Sequence, residues 1–247
     1  MAEVTLDTSI KRMISLVIPA FNEAGNIEVL VQEALDLLPE DLLGEVIVVD
    51  DCSTDDGVAR LRALSAREPR LRVLRHAVNA GQSASVRSGV AAARYPLIAT
   101  LDGDGQNPPG DIPALVAAYD PAGPQLVGGV RAKRRDTWSK RTASRLANAL
   151  RRRILHDDCP DTGCGLKVFE RDRHLALPFF HGQHRYLPAL FRAYGAVTAY
   201  VPIGDRPRQH GASKYTNWRR GLQGVPDLMG VRWLVMRARP VGAQEVS

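Results

Sequence analysis

The 247-residue chain is poor in cysteine, has no long apolar run and has no internal repeat. Cys52, Cys159 and Cys164 are an odd number at wide spacing, which argues against a disulfide scaffold and for a reducing compartment. The trio His156, Cys159 and Cys164 fits no standard zinc spacing. No apolar stretch approaches the ~18 residues of a membrane span, so any meeting with a membrane is expected at its surface. The first residues, MAEVTLDTSIKRM, contain acids and lack the apolar segment of a secretory signal. No linker or low-complexity tract interrupts the rest of the chain. The expected organisation is a tail over 1–12, one domain over 13–216, and an amphipathic helix with its tail over 217–247.

The composition is that of a globular protein, 45% hydrophobic with a net charge of +6. The excess is local. Residues 131–153, RAKRRDTWSKRTASRLANALRRR, hold ten Lys/Arg and one Asp. That segment's +9 exceeds the chain's +6, so the remainder is acidic by −3. Such a patch suits nucleic acid, anionic headgroups or phosphorylated substrates.

Strand and helix patterns alternate through the first half. MISLVIPA (13–20) and GEVIVVDD (44–51) are continuous apolar runs, as for strands buried on both faces. Between them Ile27, Leu30, Val31, Ala34, Leu35 and Leu38 recur at helical spacing. A helix near 56–67, a strand over 71–77, a helix over 83–94 and the strand of LIATLDGD come next. Further strands are expected at 125–131, after the turn of DTGCG (161–165), and at 197–203. Helices are expected over 137–155 and 217–237. Repeated β-α units predict an α/β fold with a mostly parallel open sheet flanked by helices.

Three acidic clusters stand at strand ends: PAFNE with Glu23, VVDD with Asp50 and Asp51, and DGDGQ with Asp102 and Asp104. Open α/β sheets bind ligands at the carboxyl ends of their strands. Asp102 and Asp104, two apart, share a face of an extended chain, and Gly103 allows close approach to the backbone. Hard oxygen donors in small number suit Mg²⁺ or Mn²⁺ completed by water and substrate phosphates. A solvated Asp-rich turn is the alternative. Ser53, Thr54 and Asp55 also precede a helix and are candidate caps.

The blocks VIPAFNE, VVDDCSTD, NAGQSASVRSG and DGDGQNPP, in this order, resemble the family-2 glycosyltransferases of the GT-A fold (nucleotide-diphospho-sugar transferases). DTGCGLKVF, HRYLPAL and DRPRQHGASKY are similar to the dolichyl-phosphate mannosyltransferase and polyprenyl-phosphate glycosyltransferase subgroup. The resemblance runs from about Ile14 to Trp233. It implies a nucleotide-sugar donor (GDP-mannose or a UDP-sugar), a divalent metal and a polyprenyl-phosphate acceptor. Pro19, Phe21, Glu23 and Asp51 would hold the nucleoside, with Phe21 where the family usually has Tyr. Asp102, Asp104 and Gln106 would hold the metal, with Gly103 at the donor and Arg131 near it. Arg208 and Lys214 would close over the phosphates, or else belong to an exposed basic loop. Lys140, Arg141 and Ser144 would meet the acceptor phosphate.

An ionised phosphate needs no general base to act as nucleophile, so direct displacement with inversion is expected. Asp104 would act through the metal. Asp161 would be the first candidate base if the acceptor were instead a saccharide hydroxyl in cell-envelope polysaccharide synthesis; its alternative is a turn cap. Leu222, Val225, Met229, Trp233 and Met236 form an apolar stripe with a basic rim, suited to headgroups, the chain's own core or a second copy in a homodimer. The expected location is cytoplasmic, peripheral at the membrane. PAFNEAGN is not the glycine-rich phosphate loop of a sugar nucleotidyltransferase. Nucleic acid is not an expected partner, because acidic strand ends repel its backbone unless metal-loaded.

Overall fold

The computed structural model describes residues 13–131, 151–207 and 217–239. Seven strands form one sheet: β1 (Ile14–Ala20), β2 (Leu43–Asp50), β3 (Leu71–Arg75), β4 (Leu97–Thr100), β5 (Pro124–Arg131), β6 (Lys167–Glu170) and β7 (Val197–Ile203). Their spatial order is β3-β2-β1-β4-β6-β5-β7. Six run in one direction, and β6 runs antiparallel to both β4 and β5. The sheet is therefore mostly parallel, as expected. After β1 the chain builds outward through β2 and β3, then returns to place β4 on the other side of β1. That reversal opens a crevice between the ends of β1 and β4, the usual ligand position of open α/β sheets.

Continuous apolar strands are explained by cores on both faces. Ile14, Leu16 and Ile18 of β1 pack with Val46 and Val48 against α1 (Ile27–Leu37), α2 (Gly57–Ser65) and α4 (Ile112–Ala118). Val17, Ile47 and Val49 point the other way, toward α3 (Gln82–Ala92), α6 (Leu187–Ala193) and Val231 of α7 (Asn217–Arg237). The two-residue period of a strand divides one hydrophobic run between two cores. In α1 the buried side chains are Ile27, Leu30, Val31, Ala34 and Leu35, matching the sequence period. A short helix, α5 (Arg171–Ala176), comes directly after β6.

Two local expectations need correction. β4 ends at Thr100, so Asp102 and Asp104 lie in the turn beyond it rather than on an extended strand. β3 ends at Arg75. Pro226 lies inside α7 without ending it. Of the basic stretch expected to be helical, residues 151–155 are helical, and 132–150 lie outside the described residues.

His174 of α5 is 1% exposed and stacks on Phe169 with ring centroids 5.0 Å apart. Its Nδ1 has no hydrogen-bond partner among the described residues. Burial, aided by the nearby Arg87 cation, pushes its pKa down from 6.5 to about 4. Between those values the unfolded chain binds the extra proton, so stability rises with pH there. Urea unfolding should give a level stability above pH ~6.5, a loss on the order of 3 kcal/mol as the pH falls to about 4, and a plateau below. His174→Phe should remove this component of the profile. An unchanged profile in that variant would contradict a neutral buried imidazole.

Candidate functional site

The turn after β1 carries Phe21, Asn22 and Glu23, and it is stapled to the turn after β2. The Asn22 N–H donates to Ser53 Oγ (2.8 Å), the Thr54 N–H donates to Asn22 Oδ1 (2.8 Å), and the Ala24 N–H donates to Asp55 Oδ2 (2.9 Å). Asn22 holds a positive φ of 51°, a conformation that asparagine tolerates. Glu23 opens α1: its carbonyl accepts the N–H groups of Asn26 and Ile27, and its Oε2 accepts from Asn26 Nδ2 at 2.8 Å. Of the expected caps of α2, Asp55 alone serves, accepting the Gly57 N–H at 3.2 Å. Ser53 is spent on the staple.

Asp51 is buried, and the chain itself satisfies its carboxylate. Oδ1 accepts the Ala80 N–H and faces His76 Nδ1, each at 2.8 Å, and Oδ2 accepts the Gly81 N–H at 2.7 Å. Gly81 has φ 84°, which favours glycine, and its carbonyl begins the turns of α3. Asp51 thus ties the end of β2 to the start of α3.

At the end of β4, Asp102 Oδ1 accepts from Gln82 Nε2 at 2.8 Å, and the Gln106 N–H donates to Asp104 Oδ1 at 3.1 Å. Burial first, and the charge of Asp104 second, push Asp102 up to about 6, against the pull of Lys167, Arg131 and Gln82. A Cβ on Gly165 would fall 2.2 Å from Asp102 Cγ, so that glycine makes room for the carboxylate. Gly103 has a steric reason of its own: its Cβ would stand 2.9 Å from the Pro19 carbonyl oxygen of β1.

Two adjacent carboxylates, of which Asp104 raises the proton affinity of Asp102, with a neutral amide as Asp102's hydrogen-bond partner, are a fitting donor set for a hard divalent cation. Among the described residues no group of three His, Cys, Asp or Glu could hold a metal. A cation there would complete its shell from Gln106, water or substrate. His156, Cys159 and Cys164 form no such group, and all three cysteines are free thiols.

Arg131 at the end of β5 grips Asp161 with both arms, Nε to Oδ2 at 2.7 Å and Nη2 to Oδ1 at 2.9 Å. Burial opposes the charge of Arg131, but Asp161 holds it firmly protonated. Both Asp161 oxygens therefore accept from a cation, a poor state for taking a proton from a hydroxyl. In this geometry Asp161 positions Arg131.

A cavity of about 310 Å³ opens beside Asp102, walled by Gln82, Gly163, Lys167, His184 and Arg185, with Pro19 at its edge. The sequence alone assigns no role to Gln82, Gly165, Lys167, His184 or Arg185, although the blocks containing them stand out. A lysine inside the apolar run that becomes β6 is the available signal. Lys140, Arg141, Ser144, Arg208 and Lys214 lie outside the described residues.

The Gly165→Ala variant tests the architecture of the acid pair. The atom in its way is the end of a side chain, so the fold should persist while Asp102 is displaced. Mn²⁺-dependent binding of UDP, measured by calorimetry, is expected to weaken roughly tenfold, ~1.4 kcal/mol. Unchanged binding would separate Asp102 from the nucleotide site.

Residues 15–175 match the family model "Glycosyl transferase family 2". The undecaprenyl-phosphate 4-deoxy-4-formamido-L-arabinose transferase of Edwardsiella ictaluri is 34% identical over 223 residues, 88% of this chain and 66% of that protein. Its namesake from Aeromonas hydrophila is 34% identical over 90% of this chain and 67% of its own length. The chain thus spans about two thirds of these curated relatives. Among solved structures, glucosyl-3-phosphoglycerate synthase from Mycobacterium tuberculosis, in complex with Mn²⁺, UDP-glucose and phosphoglyceric acid, superposes with a TM-score of 0.70 at 23% identity, covering 94% of this chain and 86% of that one. That likeness establishes the GT-A type of fold, and with the family match over most of the sheet the chain belongs to glycosyl transferase family 2.

Proposed function

We propose that this protein transfers a sugar from a nucleotide-diphosphate sugar to a polyprenyl phosphate with inversion at the anomeric carbon. The observation that carries this reading is the acid pair Asp102–Asp104 at the crevice between β1 and β4, faced by Arg131 and Lys167. Acids that suit a divalent cation and cations that suit phosphate share one cleft. The names of the curated relatives support an undecaprenyl-phosphate acceptor. The Mn²⁺ and UDP-glucose of the solved neighbour support a metal-assisted UDP-sugar donor.

In this reading Pro19, Phe21, Glu23 and Asp51 form the nucleoside end of the cleft, Asp51 by fixing the 79–81 turn. Asp102, Asp104 and Gln106 would hold Mg²⁺ or Mn²⁺, which supplies positive charge for the departing diphosphate. Arg131, Arg208 and Lys214 neutralise phosphate charge, and Lys140, Arg141 and Ser144 meet the acceptor. No general base is required. The Arg131–Asp161 pair favours a phosphate acceptor over a saccharide hydroxyl, since it occupies the carboxylate a hydroxyl would need.

α7 supports contact with a membrane surface. Val231 is buried and Leu228 and Val235 pack on the core, whereas Met229, Trp233 and Met236 are each more than half exposed. Arg237 lies over the Trp233 ring at 5.3 Å. An exposed apolar stripe with an aromatic and a basic flank fits the headgroup plane. No helix among the described residues is long and apolar enough to cross a membrane.

Transfer of radiolabelled sugar to undecaprenyl phosphate is the direct test. Asp104→Asn is expected to lower turnover by ~100-fold or more while the protein stays folded. Full activity in that variant would refute the metal-site reading. Replacing Met229 and Trp233 by Ser should weaken sedimentation with phosphatidylglycerol vesicles without altering UDP binding. Loss of a concentration-dependent dimer instead would identify a second copy as the partner of this face.

A further inference from the structure

The cavity beside Asp102 has a wall that the metal-facing acids do not explain. Lys167 begins β6, between β4 and β5, and is 5% exposed. Its ammonium donates to the Cys164 carbonyl; its charge reaches Asp102, but no carboxylate lies within ion-pair distance of it among the described residues. An ammonium carries three donors and is costly to bury without a counter-charge. Arg185, half-buried on the same wall, has no ion pair among the described residues either.

His184 lies beside them on the wall, and its neighbours fix its proton. Ser83 Oγ, itself 2% exposed, accepts the N–H groups of Gly182 at 3.1 Å and His184 at 3.3 Å. It also lies 2.6 Å from His184 Nδ1. A hydroxyl has two lone pairs and one hydrogen. Both lone pairs are taken, so the hydrogen goes to Nδ1. The imidazole is therefore neutral, with its proton on Nε2. The wall thus carries two cations and one oriented neutral donor.

We infer that Lys167, Arg185 and His184 form a seat for a phosphate monoester, separate from the donor diphosphate held at Asp102 and Asp104. Asp102 is the only acid lining the cavity among the described residues, and it belongs to the metal side. A monoester dianion has the charge to balance Lys167 and Arg185, with His184 lining the same cavity. Naming that monoester as the sugar acceptor rests on the transferase reading. The seat itself does not, because inorganic phosphate probes it without catalysis.

Lys167→Met gives the discriminating measurement on the full chain. Removing a buried cation that has no close ion pair should hold or raise Tm and abolish the rise in Tm that inorganic phosphate gives the wild type, and Arg185→Gln, which leaves the charge beside Asp102 in place, should cut the phosphate response while keeping UDP–Mn²⁺ affinity within about twofold. In transfer assays the KM for polyprenyl phosphate should rise about tenfold or more. A lower Tm with the phosphate response intact would make Lys167 structural and overturn the seat. Weakened UDP affinity with an unchanged acceptor KM would assign the wall to the donor and overturn it equally. If Lys167→Met does not fold, Arg185→Gln carries the same test. Wild-type phosphate binding without any sugar transfer would uphold the seat and reject the transferase reading instead.

Discussion

The start of α3 is the constraint on which the cleft depends. In four consecutive residues the chain anchors three separate pieces. The Ala80 and Gly81 N–H groups bind Asp51 just after β2, the Gln82 amide binds Asp102 after β4, and Ser83 organises the turn at 182–184. These bonds share one short, rigid segment, so each is positioned by the others. The left-handed Gly81 is what allows the backbone to present two successive N–H groups to one carboxylate before the helix begins. Buried carboxylates at strand ends would otherwise be a net cost. Here Asp51 is compensated fully and Asp102 only in part, and the partial compensation is where the chemistry belongs.

The reversal of β6 has a functional consequence. The other six strands arrive at the cleft with their carboxyl ends, so their first residues lie at the far edge of the sheet. β6 runs the other way, and its first residue, Lys167, pairs in register with Thr100 at the end of β4. The segment leading into it, from Asp161 to Leu166, must therefore pass across the cleft. That single antiparallel strand delivers Asp161, Gly165 and Lys167 to the acid pair from the opposite side. The Arg131–Asp161 pair then binds this crossing segment to the end of β5.

What the sequence disclosed and what it hid divide along sequence separation. β1, β2 and α1 were legible because burial on fixed faces imposes a local period. Acids at strand ends were legible because a charge stands out against an apolar run. Residues whose meaning lies in a distant partner were not. Asp161 read as either a candidate base for a hydroxyl acceptor or a turn cap because Arg131 is 30 positions away, and the Ser83–His184 bond spans 101. Gly165 looked like turn chemistry, although it is a glycine because Asp102 needs its space. The basic stretch at 132–150 was the loudest signal in the composition, and it lies outside the described residues.

The division of charge in the cleft bears on the kind of nucleophile it serves. An enzyme that activates a hydroxyl needs a carboxylate or imidazole able to accept a proton at the reacting atom. Asp161 is tied to Arg131, Asp51 to the chain's own amides, and His184 receives its hydrogen bond at Nδ1 from Ser83, leaving Nε2 protonated. Outside the metal-facing pair Asp102–Asp104, each of these candidate bases is either neutralised or turned into a donor. What the cleft offers instead is positive charge at Lys167 and Arg185, beside Arg131, whose charge is shared with Asp161. A nucleophile that arrives already ionised requires that arrangement: its proton is gone, and the barrier lies in bringing an anion up to a departing diphosphate. The same cations would do little for a neutral hydroxyl. On the proposed transferase reading, this hydrogen-bond pattern supports a phosphate acceptor over a saccharide hydroxyl.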